Sequence, residues 1–96
     1  MPLFVLTCLD KPDNLELRLK TRPAHQAHIA ANRSIVRLGG PFLDEAGGMV
    51  GSMLILETQT LAEAQAFADA DPYQTEGVFE SSTVRAFTLV VGSIGE

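Results

Sequence analysis

The sequence predicts an α+β fold, because four apolar segments typical of β-strands and two segments typical of α-helices follow one another as β-α-β-β-α-β. The chain has 96 residues, of which 46% are hydrophobic and 20% charged, so we expect one globular domain over 1–96. Strands that pair out of sequence order need right-handed crossovers, which two helices supply. We therefore expect a ferredoxin-like sandwich, with a four-stranded antiparallel sheet and both helices on one face.

The first strand and the start of the first helix follow from local patterns. Residues 3–9 (LFVLTCL) are aliphatic, aromatic or β-branched, and the turn sequence 10–13 (DKPD) ends them. A helical pattern runs from Asp13 to about Asn32. Asp13, with Glu16 three residues later, resembles a capping box at its start.

Pro23 interrupts that helical pattern. Proline lacks an amide hydrogen and disfavours helical backbone at the residue before it, here Arg22. We expect a short helical turn first and a second helix over 22–32, with Pro23 in its first turn, where the missing donor costs nothing.

The middle of the chain is predicted to form a hairpin. Residues 35–42 (IVRLGGPF) and 49–57 (MVGSMLILE) have strand composition. The segment between them, 43–48 (LDEAGG), has the glycine and acidic residues of a loop.

The last helix and the last strand complete the order. Thr60 and Glu63 have capping-box spacing and open an alanine-rich helix, which Asp71 and Pro72 end. Residues 83–91 (TVRAFTLVV) are predicted as the fourth strand, and 92–96 as a frayed tail.

The predicted strands are apolar on both faces, whereas a sheet with one wet face alternates apolar and polar residues. In the first strand, one face carries Leu3, Val5 and Leu9, and the other carries Phe4, Leu6 and Cys8. Two helices cover one face only. A monomer seldom exposes so large an apolar patch, so we predict a homodimer packed sheet to sheet around a two-fold axis.

Composition excludes several partners. The net charge is -5 and no basic stripe is present, so nucleic acids and anionic membrane surfaces are poor partners. No segment has the length of a membrane span or the pattern of a signal peptide. The single cysteine, Cys8, cannot form an internal disulfide, so we expect a cytoplasmic location.

The predicted topology brings one acid/base pair to one end of the sandwich. The start of helix one, the end of strand two, the start of strand three and the end of helix two share that end. Its candidate residues are His25 and Asp71 for catalysis, with Arg22, Ser52 and Tyr73 for substrate binding. A carboxylate that binds one imidazole nitrogen leaves the other free to exchange a proton. Asp71 is equally typical of a helix cap, and a helical histidine is often only a surface residue.

Other sites receive less support from the sequence. His25 and His28 stand three apart, but without a cysteine or a Glu-x-x-His partner they are only a weak signal for a metal site. A thiol in the middle of an apolar strand, such as Cys8, is typical of core packing. We therefore predict no metal and no cofactor.

Several blocks of this sequence occur together in one known family. They are Arg22-Pro23-Ala24-His25, Gly40-Pro41, Gly51-Ser52 and Ala68-Asp69-Ala70-Asp71-Pro72-Tyr73, followed by Gly77-Val78. In this order and spacing they resemble the YciI-like (YCII-related) family from about Phe4 to Val90. The resemblance implies a ferredoxin-like fold, assembly as a dimeric α/β barrel, and an active site centred on His25 and Asp71. One branch of that family includes a dehydrochlorinase of a chlorinated hydroxyhydroquinone.

These observations lead to an enzymatic hypothesis and two alternatives. The first is a lyase, isomerase or dehydrohalogenase acting on a small anionic or phenolic molecule, with His25 as acid/base, Asp71 orienting it and Arg22 contacting the anion. The alternative is a metabolite-binding or regulatory module of the same fold without chemistry. A haem-binding barrel is a third reading, which no other feature of the sequence favours.

Overall fold

The computed structural model describes residues 2–95. Its elements are β1 (Leu3–Asp10), α1 (Leu15–Ala31), β2 (Val36–Leu43), β3 (Met49–Glu57), α2 (Leu61–Asp69), α3 (Pro72–Thr75) and β4 (Phe79–Phe87). The strands form one sheet in the order β2-β3-β1-β4, and every neighbouring pair is antiparallel. This is the predicted βαββαβ sandwich, with α3 as a short extra helix. Among residues 2–95, no helix is both long enough and apolar enough to cross a bilayer.

Pro23 does not break α1, so the predicted division into two helices is wrong. The helix runs for 17 residues with Pro23 inside it. An interior proline removes one backbone hydrogen bond and is usually costly. Here side-chain contacts hold the helix on both sides of it, since Arg18 binds Asp10 and His25 binds Asp71. These tertiary contacts outweigh the local preference.

The predicted capping box at the start of α1 is also wrong. Asp13 has a positive φ of 55°, a turn conformation that Asp tolerates better than most residues. Asn14 is the residue that precedes the helix, and it makes no side-chain cap. Its Nδ2 instead donates to the carbonyls of Gly77 and Val78, at 3.3 and 3.0 Å. The start of α1 is thereby tied to the chain that enters β4.

The fourth strand lies four residues earlier than predicted. β4 pairs with β1 from Phe79, opposite Asp10, to Phe87, opposite Leu3. Beyond Leu3 the described part of β1 offers no further backbone partner. Residues 88–91 therefore leave the sheet although their composition is typical of a strand.

The predicted capping box of α2 is confirmed. Thr60 Oγ1 accepts from the backbone N–H of Glu63 at 3.2 Å, and Glu63 Oε1 accepts from the backbone N–H of Thr60 at 3.0 Å. These two bonds satisfy two of the amides that a helix start leaves unpaired.

The core lies between the helices and one face of the sheet. The side chains buried there are Phe4, Leu6, Cys8, Leu54, Leu56, Ala64, Phe67, Ala68, Tyr73, Val78 and Phe79. The opposite face, which we call the open sheet face, carries Leu3, Val5, Leu9, Leu38, Phe42, Met53, Ile55 and Phe87. On that face Leu9 is 52% exposed and Phe87 39%. Apolar residues thus occupy both faces, as the sequence predicts.

Candidate active site

A cavity of about 330 Å³ lies between α1, the sheet and the start of α3. Its lining residues are Arg18, Arg22, His25, Gln26, Ile29, Val36, Gly39, Gly40, Pro41, Met49, Ser52, Leu54 and Tyr73. A volume of this size accommodates a small single-ring compound. Four of the five predicted site residues line it, and the fifth, Asp71, binds His25 from behind.

The two predicted catalytic side chains are hydrogen-bonded to each other. His25 Nδ1 lies 2.9 Å from Asp71 Oδ1 and 3.0 Å from Oδ2. Because a carboxylate accepts hydrogen bonds, it holds the proton on Nδ1 and leaves Nε2 with a lone pair in the neutral ring. Asp71 is 1% exposed, whereas the His25 side chain is 15% exposed and lines the cavity. The imidazole can therefore meet a ligand while the carboxylate stays away from water.

The Asp71 side chain both caps α3 and accepts the hydrogen bond from His25. Asp71 precedes α3 in extended conformation, and its Oδ1 accepts from the backbone N–H of Tyr73 at 2.9 Å. Pro72 occupies the first helical position, where its missing N–H costs no hydrogen bond. The short helix thus helps to fix the carboxylate that binds His25.

Tyr73 forms an aromatic wall beside His25. The two rings stack with centroids 4.0 Å apart and planes 11° apart, and Phe79 contacts the Tyr73 ring edge-on at 5.7 Å. Burial raises the pKa of Tyr73, although the nearby Arg18 and Arg22 charges act in the opposite direction. The phenol therefore stays protonated at neutral pH and available as a hydrogen-bond donor.

Arg18 is a buried charged group in the same cavity that the sequence patterns did not predict. Arg18 is 3% exposed; its Nη1 donates to both carboxylate oxygens of Asp10, at 2.8 and 2.9 Å, and its Nη2 donates to Ser52 Oγ at 2.6 Å. Its guanidinium carbon lies 4.6 Å from the centroid of the Tyr73 ring. A residue seven positions before His25 shares its face only in an unbroken helix, so the predicted break at Pro23 concealed this signal.

The position of His25 along α1 also differs from expectation. The sequence placed it at the start of a helix, but α1 begins at Leu15, so His25 and Arg22 project from its middle. Arg22 lines the cavity from an exposed position, in contrast to the buried Arg18. The site is therefore a groove along the helix and not a pocket at its end.

Gly39 keeps the sheet side of the cavity open. A Cβ atom at this position would overlap the side chain of Leu54 and approach the carbonyl oxygen of Met53 to 3.1 Å. A larger residue would therefore displace Leu54, which itself lines the cavity.

His28, three residues after His25, lies outside the site. Its Nε2 donates to the carbonyl of Phe67 at 3.0 Å, and its ring stacks on the Phe67 ring at 4.5 Å. It therefore joins α1 to α2. Within residues 2–95 no group of three His, Cys, Asp or Glu side chains is placed to hold a metal ion.

Solved structures share this fold. The 5-chloro-2-hydroxyhydroquinone dehydrochlorinase of Burkholderia phenoliruptrix, in complex with 2,5-dihydroxybenzoquinone, is similar with a TM-score of 0.82 and 28% identity, covering 90% of this chain and 93% of that one. An antibiotic biosynthesis monooxygenase is similar with a TM-score of 0.57 and 16% identity, covering 95% of this chain and all of that one. The second likeness concerns the fold alone.

Sequence relatives identify the family. Protein YciI of Escherichia coli O6:H1 is 43% identical over an alignment covering 92% of this chain and 98% of the relative. An uncharacterized protein of Haemophilus influenzae is 32% identical, covering 91% of this chain and 97% of the relative. A family model described as the YCII-related domain matches residues 2–88. This chain therefore belongs to the YCII-related family.

Proposed function

We propose that this protein is a small-molecule enzyme that moves a proton with its His25–Asp71 pair, in a lyase, isomerase or dehydrohalogenase type of reaction. The observation that carries the proposal is that His25 Nδ1 donates a hydrogen bond to the buried Asp71 carboxylate while the same residue lines the cavity. A solvated surface histidine would have neither the buried partner nor the cavity.

The pair has the properties of a general acid/base. His25 Nε2 takes a proton from the substrate, and Asp71 stabilises the resulting imidazolium through Nδ1–H. In an isomerisation, the same proton returns to another atom of the substrate. In an elimination, the electron pair of the broken C–H bond forms a double bond as the leaving group departs with its own bonding pair.

The substrate class we propose is a small anionic or phenolic compound. Arg22 supplies positive charge at an exposed part of the cavity wall, and Ser52 and Tyr73 supply hydroxyl groups. Stacked aromatic side chains favour a planar ligand. The similar dehydrochlorinase, whose structure holds 2,5-dihydroxybenzoquinone, supports a ring substrate with oxygen substituents.

The experiment is chloride release from 5-chloro-2-hydroxyhydroquinone by wild type, His25→Asn and His28→Asn. We expect His25→Asn to lower kcat by about 10²- to 10⁴-fold, the usual contribution of a general acid/base. His28→Asn is the matched control on the same helix, and its kcat should stay within about twofold of wild type.

Melting temperatures measured on the same samples separate catalysis from folding. A His25→Asn variant that is folded and fully active contradicts the proposal. If wild type binds 2,5-dihydroxybenzoquinone but converts neither this chlorinated compound nor a panel of enolisable phenols, the cavity belongs to a metabolite-binding module without chemistry.

We further propose that the protein forms a homodimer through its open sheet face. Leu9, Leu38, Phe42 and Phe87 are each at least 36% exposed on this face. Burying such a patch releases water from apolar surface, and a second copy offers the same patch.

A reducing compartment such as the cytoplasm is the proposed location. Cys8 is an unpaired thiol buried in the core. Unpaired buried thiols are compatible with proteins that fold without an oxidising environment.

A further inference from the structure

Arg18 and Ser52, which both line the cavity, each have a hydrogen-bond donor without an acceptor among residues 2–95. A guanidinium group can only donate, so Ser52 Oγ is the acceptor in its 2.6 Å bond with Arg18 Nη2. The hydroxyl hydrogen of Ser52 must then point elsewhere, and no acceptor for it occurs among the hydrogen bonds of residues 2–95. Arg18 Nε–H is buried and also has no hydrogen-bond partner in that part of the chain.

The charge of Arg18 is already balanced. Asp10 accepts two hydrogen bonds from Nη1, and the two side chains are only 3% and 5% exposed. The buried pair is therefore neutral as a whole, and it presents donors without net charge. Arg22 differs, because it is exposed and no ion pair holds it among the described residues.

Buried donors without acceptors are unfavourable in a folded protein unless a ligand or water satisfies them. Arg18 and Ser52 both line the cavity, so an oxygen atom of a bound molecule can reach this part of the wall. Their donors are held by Asp10 and by each other, which reduces the cost of ordering them on binding.

We infer that Arg18 and Ser52 form a subsite that donates hydrogen bonds to a carbonyl or enolate oxygen of the ligand, with Asp10 as the positioning residue. This inference rests on the proposed binding of a small molecule in the cavity, and it specifies the class: a carbonyl compound with an acidic C–H or O–H conjugated to the carbonyl. A phosphate ester or a simple hydrocarbon does not match this donor set.

The subsite and the proposed base lie close enough for one small ligand. The Arg18 guanidinium and the His25 ring both pack on Tyr73, at 4.6 and 4.0 Å from its centroid. When His25 Nε2 removes the proton, the freed electron pair moves into the conjugated carbonyl and negative charge builds on its oxygen. Hydrogen bonds from Arg18 and Ser52 to that oxygen would stabilise this charge.

The test is the affinity of 2,5-dihydroxybenzoquinone, measured by titration calorimetry for wild type, Ser52→Ala, Arg18→Lys and Ser82→Ala. Ser82 is the matched control, since Ser52 and Ser82 flank Cys8 in the sheet register but only Ser52 lines the cavity. We expect about tenfold weaker binding for Ser52→Ala and Arg18→Lys, the effect of one lost hydrogen bond, and a change below about twofold for Ser82→Ala.

A second readout does not depend on variant folding. In wild-type protein labelled with ¹⁵N, the Arg18 Nε–H resonance should shift downfield when 2,5-dihydroxybenzoquinone is added. If the compound binds but this resonance stays and Ser52→Ala binds as wild type, the inference is wrong while the proposed function stands. If the compound perturbs no cavity resonance, both the subsite and the proposed substrate class are overturned.

Discussion

The two histidines of α1 show how the surroundings of a single residue decide its role. His25 meets a buried carboxylate and a cavity, whereas His28 donates to the backbone of Phe67. Both have the same residue type, the same helix and a similar degree of exposure. The difference lies in the partner, which is a carboxylate that can stabilise an imidazolium for His25 and a neutral carbonyl for His28, and in the cavity, which His25 lines and His28 does not.

Asp71→Asn tests the pair without removing the cap of α3, because asparagine caps helices as well as aspartate does. The amide can donate to Nδ1, which would place the ring proton on Nε2 and abolish its basicity. We expect kcat to fall about 10²-fold or more, with a melting temperature close to wild type.

Asp71→Ala should behave differently from Asp71→Asn in stability. It loses the cap as well, which costs about 1 kcal/mol of unfolding free energy, measured by chemical denaturation. Equal kcat for Asp71→Asn and wild type would show that the carboxylate serves α3 alone.

Cys8 provides a pH-dependent test of the core. Burial raises the pKa of its thiol to about 11, from the 9.0 expected in the unfolded chain. The native state therefore holds this proton more tightly, and the stabilisation is complete below pH 9 and lost as the pH rises towards 11. We expect the unfolding free energy to fall by about 2 kcal/mol over this range.

Comparison with Cys8→Ala isolates the thiol from other groups that titrate in the same range, such as Tyr73. The Cys8→Ala variant should lose less stability between pH 9 and 11 than wild type. An identical pH dependence in both proteins would contradict the buried, protonated thiol.

At the scale of elements, α1 is the structure that assembles the site. It delivers Arg18, Arg22 and His25 from one face, and Pro23 stands among them on the exposed side. The partners of this helix come from β1, β3 and the start of α3, through Asp10, Ser52 and Asp71. Local preference alone would break α1 at Pro23. The groups proposed to bind the ligand, together with their partners, hold the helix together.

Pro23→Ala should stabilise the protein. Alanine restores an amide donor within the helix and has the highest helix propensity, although proline also restricts the unfolded chain. We expect the unfolding free energy to rise by about 1–2 kcal/mol in urea titrations. A loss of stability would mean that the proline is favourable in its native position, contrary to this account of α1.

At the scale of the whole molecule, the sandwich is asymmetric. One sheet face carries the helices and the cavity, and on the open sheet face apolar side chains such as Leu9 and Phe87 stay exposed. Besides its apolar residues, this face carries Arg85, opposite Val5 in the register, and the hydroxyls of Thr7 and Thr83, which satisfy each other at 2.7 Å. A second sheet could therefore pack there without leaving that pair unsatisfied.

Light scattering tests the homodimer. We expect wild type at micromolar concentration to have twice the mass of the 10.3 kDa chain. Leu9→Lys should give the monomer mass, because a lysine charge would be buried between the sheets. Leu61→Lys is the matched control. Leu61 is 51% exposed, which is similar to the 52% of Leu9, but it lies on α2. A monomer mass for wild type at every concentration would contradict the proposed assembly.

The sequence by itself determined the order of the elements and the broad place of the site. The apolar strand segments, the helical segments between them and the Thr60–Glu63 capping box are local patterns. Interactions between residues near in sequence are enough to form them. The meeting of His25 and Asp71 also followed from the sequence, because the chain order restricts the topology and the surrounding motifs resemble a family.

Tertiary structure decided the rest. The unbroken α1, the bounds of β4 and the Arg18–Asp10–Ser52 group all depend on contacts between residues far apart in the chain. A strand ends where its partner ends, and a buried arginine is stable only where carboxylate and hydroxyl oxygens meet it. Neither condition depends on the neighbouring residues in the sequence. Only the folded arrangement could therefore decide where β4 ends and whether Arg18 is buried.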